Sequence, residues 1–310
     1  MDNSSSSFIE DFLLSVPIKF RKNESGSKHT TLAVGGSLQF LIEPNTEAEL
    51  LALFKFIAQS RLNYHVLGAG SNLIIPDIGV ADLVIRMGRG FRYSKPLGEI
   101  SSDNFALYEV GSAMALMSLS RELSEQGFSG LEFAGGIPAS LGGAVRMNAG
   151  AHKDEMSGII EEVKFINSQA EIVVKNRKEI QFSYRHSGLP LDALIISAII
   201  KLKKGDPLAI SSKRREFLDY RKSTQPLTVP SFGSVFKNPA PDKAAGMLIE
   251  KSKLKGFVKG GASVSSMHAN WIVNLERKAT ATEVIQLMDQ VVQKVREDSG
   301  ITLEREVVCW

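Results

Sequence analysis

Apolar and polar positions along this chain alternate with two different periods. Near the start, Phe8, Ile9, Phe12 and Leu13 recur at helical spacing and predict a short amphipathic helix within the first 20 residues. "SLQFLIEP" then reads as a strand ended by Pro44, and "TEAELLALFKFIAQS" as a helix opened by a Thr46/Glu49 capping box. "NYHVLGAGSNLIIP" predicts strand, glycine-rich turn and strand, and "ADLVIRM" a further strand, which completes a small α/β unit near residue 90.

"NFALYEVG" reopens a strand, and "SAMALMSLSRELSEQG" predicts a helix closed by Gly127. "EEVKFINSQAEIVVKN" has the pattern of a β-hairpin, and "ALIISAIIKLKK" that of a buried strand with a basic exit. The Gly-Asp-Pro break at 205–207 is the strongest linker signal. Beyond it come a charged helix, the segment "SFGSVFKNP", a short helix near "AAGMLIEKS" and a strand "NWIVNL". A long helix follows, with a Thr280/Glu283 box, Val284, Leu287, Val291 and Val295 on one face, and Gly300 at its end; "TLEREVVCW" reads as a last strand.

Composition narrows the class. With 310 residues, 43% hydrophobic and 23% charged, the chain is expected to be globular, with two or three units and sizeable cores. No window approaches a membrane span, and the acidic, serine-rich start does not resemble a signal peptide. The single cysteine, Cys309, excludes an internal disulfide, and the five histidines lack paired ligand spacing, so no metal is expected. From Gly205 onward 16 Lys and Arg face 12 Asp and Glu, a net +4 that suits a small anionic ligand or simply solvated helix faces, and falls short of a nucleic-acid surface.

Several stretches carry candidate chemistry. In "LGAGSNLI" the third Rossmann glycine is replaced by Leu73 and the chain returns to a strand, so a dinucleotide fingerprint fails. Gly68, Ala69, Gly70, Ser71 and Asn72 still suit either a plain hairpin turn or a turn whose N–H groups face an anion. "AGGIPASLGGAVRMNAGA" packs Gly135, Gly136, Gly142, Gly143 and Gly150 around Pro138, with Arg146 its one charge; so many glycines cost conformational entropy, which close backbone approach to a ligand would offset. Arg185 in "FSYRHSG", at the end of an expected strand, is either solvated or a fork for a carboxylate. Glu304 and Glu306 would share one strand face. In "SFGSVFKNP", Ser234 lies among Phe232, Val235 and Phe236, either as a turn residue or as a hydroxyl held still because its proton is used.

Taken in order, "GAGSNL", "GIPASLGGAVRMNAGA", "YRHS", "QPLTVPSFGSVFKNP", "GGASVSSMHANWIVN" and "LEREV" resemble the UDP-N-acetylenolpyruvoylglucosamine reductases, the MurB family of peptidoglycan synthesis, from about His29 to Val307. The resemblance implies an α+β chain. It comprises an N-terminal lead-in (1–28), a two-part FAD-binding region of the vanillyl-alcohol-oxidase (PCMH) type (29–90 and 91–204) and a C-terminal α+β substrate domain (205–310). It also implies an enzyme in which NADPH reduces bound FAD and the flavin reduces UDP-N-acetylglucosamine enolpyruvate to UDP-N-acetylmuramate; the lack of an internal disulfide separately suits a reducing cytoplasm.

Residue by residue, the family's arginine matches Arg185, its proton-donating serine Ser234 and its glutamate Glu306. Tyr184 and Asn238 fall at substrate positions. Gly68 to Asn72, with Gly135, Gly136, Ile137, Pro138, Ser140, Gly142, Gly143, Asn148 and Ala149, fall at the cofactor. The short span after "YRHS" resembles the branch without a tyrosine-bearing loop, called type II. Departures are Ala139 where glycine is common, His152-Lys153 where Tyr-Gly is common, and Val308 where arginine is usual. His268 is expected to serve structure, and Phe133, Met147 and Trp271 to serve packing. Two alternatives stay open: a flavin enzyme of the same fold with another substrate, and a relative that binds nucleotide without turnover.

Overall fold

The computed structural model describes residues 3–310, which form two compact units. The first holds residues 3–22, 40–68 and 82–219, and the second 23–39, 69–81 and 220–310. The chain therefore changes unit five times, once inside the glycine-rich turn at 68–72.

In the first unit, helix α1 (Asn3–Ser15) buries Ile9 and Leu13, and its Phe12 ring stacks on Phe56 at 3.9 Å. Phe56 belongs to α2 (Glu47–Ser60), whose N-cap Thr46 accepts from the Glu49 N–H. The Glu49 carboxylate reaches one residue further back than a reciprocal box requires, to the Asn45 N–H at 2.8 Å. Both helices pack with Phe40, Ile42, Leu83 and Ile85 in one core. Those residues come from a four-stranded sheet in the order Lys19–Ser25, Ser37–Glu43, Val80–Ile85, Tyr64–Val66.

A second core lies on an antiparallel sheet ordered Ile172–Asn176, Ile160–Ile166, Leu194–Lys204, Phe105–Gly111, Ser94–Leu97. The strand Leu194–Lys204 is central and almost wholly buried over its first five residues, which explains its continuous apolar run. Helix α3 (Leu116–Glu125) buries Leu116, Leu119 and Leu123 here, and Gly127 follows its end at a φ of 81°. Helix α4 (Leu141–Arg146) interrupts the glycine-rich run, and α5 (Pro207–Thr224) follows the Gly-Asp-Pro break.

The second unit is built around α7 (Ala281–Ser299). Its capping box at Thr280 and Glu283 and its left-handed Gly300 are as the sequence predicts. Val284, Leu287, Met288, Val291 and Val295 pack against Phe232, Val235, Phe236 and α6 (Ala245–Lys251). Asp77 adds a second cap, accepting from the N–H groups of Ala281 at 2.7 Å and Thr282 at 2.8 Å. A small antiparallel sheet (Val258–Lys259, Ala262–Val264, Ile272–Val273) completes the unit. "NWIVNL" thus contributes two strand residues, and "TLEREVVCW" only Val308–Cys309, which pairs in parallel with Leu73–Ile74. Among the described residues no helix is long and apolar enough to cross a membrane.

Candidate active site

The turn at 68–72 is not a hairpin. Tyr64–Val66 pairs in parallel with Val80–Ile85, whereas Leu73–Ile74 pairs with the chain's last strand. Gly68 is exposed in the first unit, and a Cβ built on it would lie 3.1 Å from Ser140 Oγ and 3.9 Å from Gly143 Cα. Gly70, in the second unit, has a φ of 68°, and a Cβ there would meet the His29 carbonyl oxygen at 1.8 Å, so the chain's own backbone demands this glycine. Ala69 is exposed and Ser71 half-buried. Asn72 donates from Nδ2 to the Glu306 carbonyl at 2.9 Å.

The longer glycine-rich run is likewise shaped partly by the protein itself. Gly135 lies against Arg214, Gly142 against Ser112 and Gly150 against Asp154 and Glu155, each too close for a Cβ without movement. Gly136 is buried, Ile137 and Ala149 are half-buried and Pro138 is exposed. Ser140 caps α4 by accepting from the Gly143 N–H at 3.3 Å. Asn148, at a φ of 41°, is fully buried; it donates to the Ser183 carbonyl at 3.0 Å and accepts from the Ser157 N–H at 2.9 Å. Arg146 donates to the carbonyls of Leu189, Pro190 and Ala193, and burial pushes its pKa below the ordinary value.

Asn148 thereby ties the glycine-rich loop to the turn that carries Arg185. That turn corrects the expected strand: Ser183 and His186 exchange backbone hydrogen bonds of 2.8 and 3.1 Å, and Arg185 takes a φ of 57°, which ends extended pairing. Its Nη2 donates to the Gly150 carbonyl at 3.2 Å, and its guanidinium lies 4.9 Å from the centre of the Tyr184 ring. His152 stacks on Phe217 of α5 at 4.0 Å.

In the second unit, Ser234 and Glu306 stand on adjoining stretches of backbone. Glu306 N–H donates to the Val235 carbonyl at 2.8 Å, Lys237 N–H donates to the Glu304 carbonyl at 2.9 Å, and Phe236 forms a bridge with Arg305. Glu304 and Glu306, expected on one strand face, lie outside any regular strand and in different environments. The Glu304 side chain is 72% exposed and pairs with Lys237, whereas Glu306 is half-buried with Oε2 shielded from solvent. Phe232, Val235 and Phe236 are buried, so the segment around Ser234 is fixed by its neighbours.

Ser234 lines a cavity of about 570 Å³ with Asn238, Lys251, Lys255, His268 and Asn270. Asn238 Oδ1 accepts from the Ala245 N–H at 3.0 Å, joining the cavity wall to the start of α6. His268 Nδ1 accepts from the Asn270 N–H at 3.2 Å, so the neutral ring carries its proton on Nε2. Burial first, then the charge of Lys255, push the His268 pKa below its ordinary value and keep the ring neutral at pH 7. Trp271 is buried, as packing requires. Sequence reasoning passed over Asn270 and Lys255; the sole signal for Asn270 was an amide inside the apolar run "ANWIV".

Comparison with known proteins gives a consistent picture. Residues 225–310 match the family model "UDP-N-acetylenolpyruvoylglucosamine reductase, C-terminal domain", and residues 38–175 match an FAD binding domain. The chain is 38% identical over 291 residues to the UDP-N-acetylenolpyruvoylglucosamine reductase of Bacillus pumilus, covering 93% of each. It is 40% identical over 290 residues to that of Heliobacterium modesticaldum, covering 93% of this chain and 90% of the relative. The crystal structure of the Thermus caldophilus reductase superposes with a TM-score of 0.78 at 35% identity, over 94% of this chain and 98% of that one.

Proposed function

The chain belongs to the UDP-N-acetylenolpyruvoylglucosamine reductase family, and from that premise we infer both its reaction and the division of labour among its residues. The protein is an FAD-dependent oxidoreductase that reduces UDP-N-acetylglucosamine enolpyruvate to UDP-N-acetylmuramate at the expense of NADPH, in peptidoglycan precursor synthesis. Its phosphorylated sugar and nicotinamide substrates support a cytoplasmic location.

The residues present fit the cofactor. Gly68 and Gly143 leave bare backbone on either side of Ser140 Oγ, space that a Cβ would narrow, and beside Gly142 the buried Ser112 hydroxyl has no hydrogen-bond partner among the described residues. Gly68 to Asn72 and the loop from Gly135 to Ala149 would hold FAD, within the regions 29–90 and 91–204 that we assign to it. Bound FAD supplies hydride relay from NADPH to C3 of the enolpyruvyl group.

Hydride addition at C3 converts the C2–C3 double bond to a single bond and leaves the electron pair at C2, delocalised into the adjacent carboxylate. Arg185 steadies that charge by its guanidinium, and Glu306, in its neutral form, by donating a hydrogen bond. Ser234 then passes its hydroxyl proton to C2, and the serine is reprotonated from solvent as product leaves. A hydroxyl is a weak acid, so its usefulness depends on position and on the basicity of the carbanion. Tyr184 and Asn238 complete the substrate contacts, with Lys251 and Lys255 drawing the diphosphate by charge.

The observation carrying this reading is that Ser234 and Asn238 open into one cavity while the backbone beside Ser234 is bonded to Glu306. The test is an anaerobic visible spectrum of holoenzyme and of Ser234→Ala. In the parent protein the flavin band bleaches with NADPH and returns with the enolpyruvyl sugar. In Ser234→Ala it bleaches and returns only at a small residual rate; full reoxidation would remove the serine from its role.

A further inference from the structure

One residue holds most of the backbone that follows Ser234. Asn270 is 3% exposed, and its main-chain carbonyl accepts from the Val235 N–H at 3.0 Å. Its side chain takes both polar groups of the next residue: Oδ1 accepts from the Phe236 N–H at 3.0 Å, and Nδ2 donates to the Phe236 carbonyl at 2.8 Å. From the opposite side the Val235 carbonyl accepts from Glu306 N–H at 2.8 Å. The two peptide groups that follow Ser234 are therefore held by Asn270 and Glu306 together, and the buried side chains of Val235 and Phe236 prevent them from rotating.

The choice of amide is chemically specific. A carboxamide presents one donor and one acceptor in a plane, as a peptide group does, and so completes a strand-like pairing with a single residue. Leucine of similar size offers neither, and an ionised aspartate offers acceptors only. Asn270 also lines the cavity into which Ser234 opens. A serine delivering a proton to carbon needs its Oγ placed to a fraction of an ångström, and displacement by about 1 Å can cost about 100-fold in rate.

We propose that Asn270 is a positioning residue for Ser234, clamping the main chain of Phe236 so that the Ser234 hydroxyl is presented in one orientation for proton transfer. The inference rests on Ser234 being the proton donor, and the experiment separates the two. Holoenzymes carrying Asn270→Leu, Asn270→Asp, Ser234→Ala and the Ser234→Ala/Asn270→Leu pair are reduced with NADPH and then mixed anaerobically with the enolpyruvyl sugar in single turnover.

Asn270→Leu is expected to slow reoxidation by about 10- to 100-fold. Reduction by NADPH should stay within about twofold and the apparent sugar Kd, read from the concentration dependence of reoxidation, within about threefold, while in the Ser234→Ala background the same change should cost less than about threefold. Asn270→Asp, which keeps the acceptor, should be impaired at neutral pH and recover as acid protonates the new carboxyl and restores the donor; it also serves if the leucine variant does not fold. Unchanged reoxidation in both single variants overturns the proposal, as does an equal loss with or without the Ser234 hydroxyl, or a parallel loss of both half-reactions. Full reoxidation by Ser234→Ala instead removes the proton-donor reading itself, and this inference with it.

Discussion

Asn72 and Glu306, 234 positions apart, are joined by a hydrogen bond of 2.9 Å from the Asn72 side-chain amide to the Glu306 carbonyl. Asn72 also accepts from the Val308 N–H through its own carbonyl at 3.1 Å, so the glycine-rich turn grips the chain on both sides of Val307, immediately after the glutamate. A residue expected at the cofactor is thus also a brace for a proposed catalytic group. Asn72→Ala should lower kcat/KM for the enolpyruvyl sugar about tenfold, the value of one well-placed hydrogen bond. Steady-state kinetics with saturating NADPH would show it, and unchanged values would remove the brace from the mechanism.

Two glycine substitutions should separate folding from cofactor binding. Gly70→Ala forces a Cβ to 1.8 Å from the His29 carbonyl at a φ of 68°, and should destabilise the protein by more than about 3 kcal/mol. Gly143→Ala, inside α4, meets only Ser140 Oγ at an ordinary 3.4 Å, and should leave the apoprotein at least as stable. Its added methyl enters the proposed FAD cradle, so FAD affinity should fall at least about tenfold, equivalent to about 1.4 kcal/mol. Thermal melts of both apoproteins and a fluorescence titration with FAD read the contrast; wild-type affinity in Gly143→Ala would move the cofactor elsewhere.

Arg185 occupies a left-handed backbone position, which asparagine tolerates well. Arg185→Asn should therefore fold with a melting temperature near that of the parent while sugar-driven flavin reoxidation drops by about 10³-fold, as for removal of one oxyanion-stabilising group. Arg185→Lys, which keeps charge but loses the planar fork, should fall between the two. Stopped-flow absorbance at the flavin band measures this, and reoxidation at the parental rate in Arg185→Asn would rule out charge stabilisation by this residue.

Acid should act on the first unit through Glu43. Its side chain is 8% exposed, with Lys19 Nζ at 3.0 Å, Arg21 Nη2 at 3.2 Å and Arg86 Nε at 2.9 Å. Burial would raise its pKa, but hydrogen bonds from Arg86 and Lys19 and the charges of Arg86 and Arg21 outweigh it and bring the value down to about 2. A depressed carboxylate stabilises the fold above its unfolded pKa and ceases to do so as pH falls through its folded one. Glu43→Gln should therefore cost about 2 kcal/mol at pH 7, allowing for screening of the exposed lysine and arginine. The difference should shrink as pH drops from about 4.5 towards 2. Urea melts across that range test it; a constant difference would exclude ionisation as its source.

Local chemistry made much of the fold readable. The Thr280/Glu283 box, the apolar face of α7 and the left-handed Gly300 each follow from nearest-neighbour rules, as does the buried strand Leu194–Lys204. The reading broke down where a few residues are held by partners far away in sequence. The Arg185 turn depends on Asn148, and the stretch before Val308 is held by Val235 and Asn72 instead of by a regular ladder. Neither relation has a local period to detect.

Gly70 makes the same division within one residue. The sequence determined that a turn stands there, that small polar neighbours follow it and that the whole motif set resembles one reductase family, because turn propensity and motif order are properties of the chain itself. Only the tertiary structure decided that this glycine is demanded by the His29 carbonyl, that Asn72 reaches Glu306, and that the Asn270 side chain takes both backbone polar groups of Phe236. Such contacts exist only once buried N–H and C=O groups must find partners among whatever segments folding brings beside them.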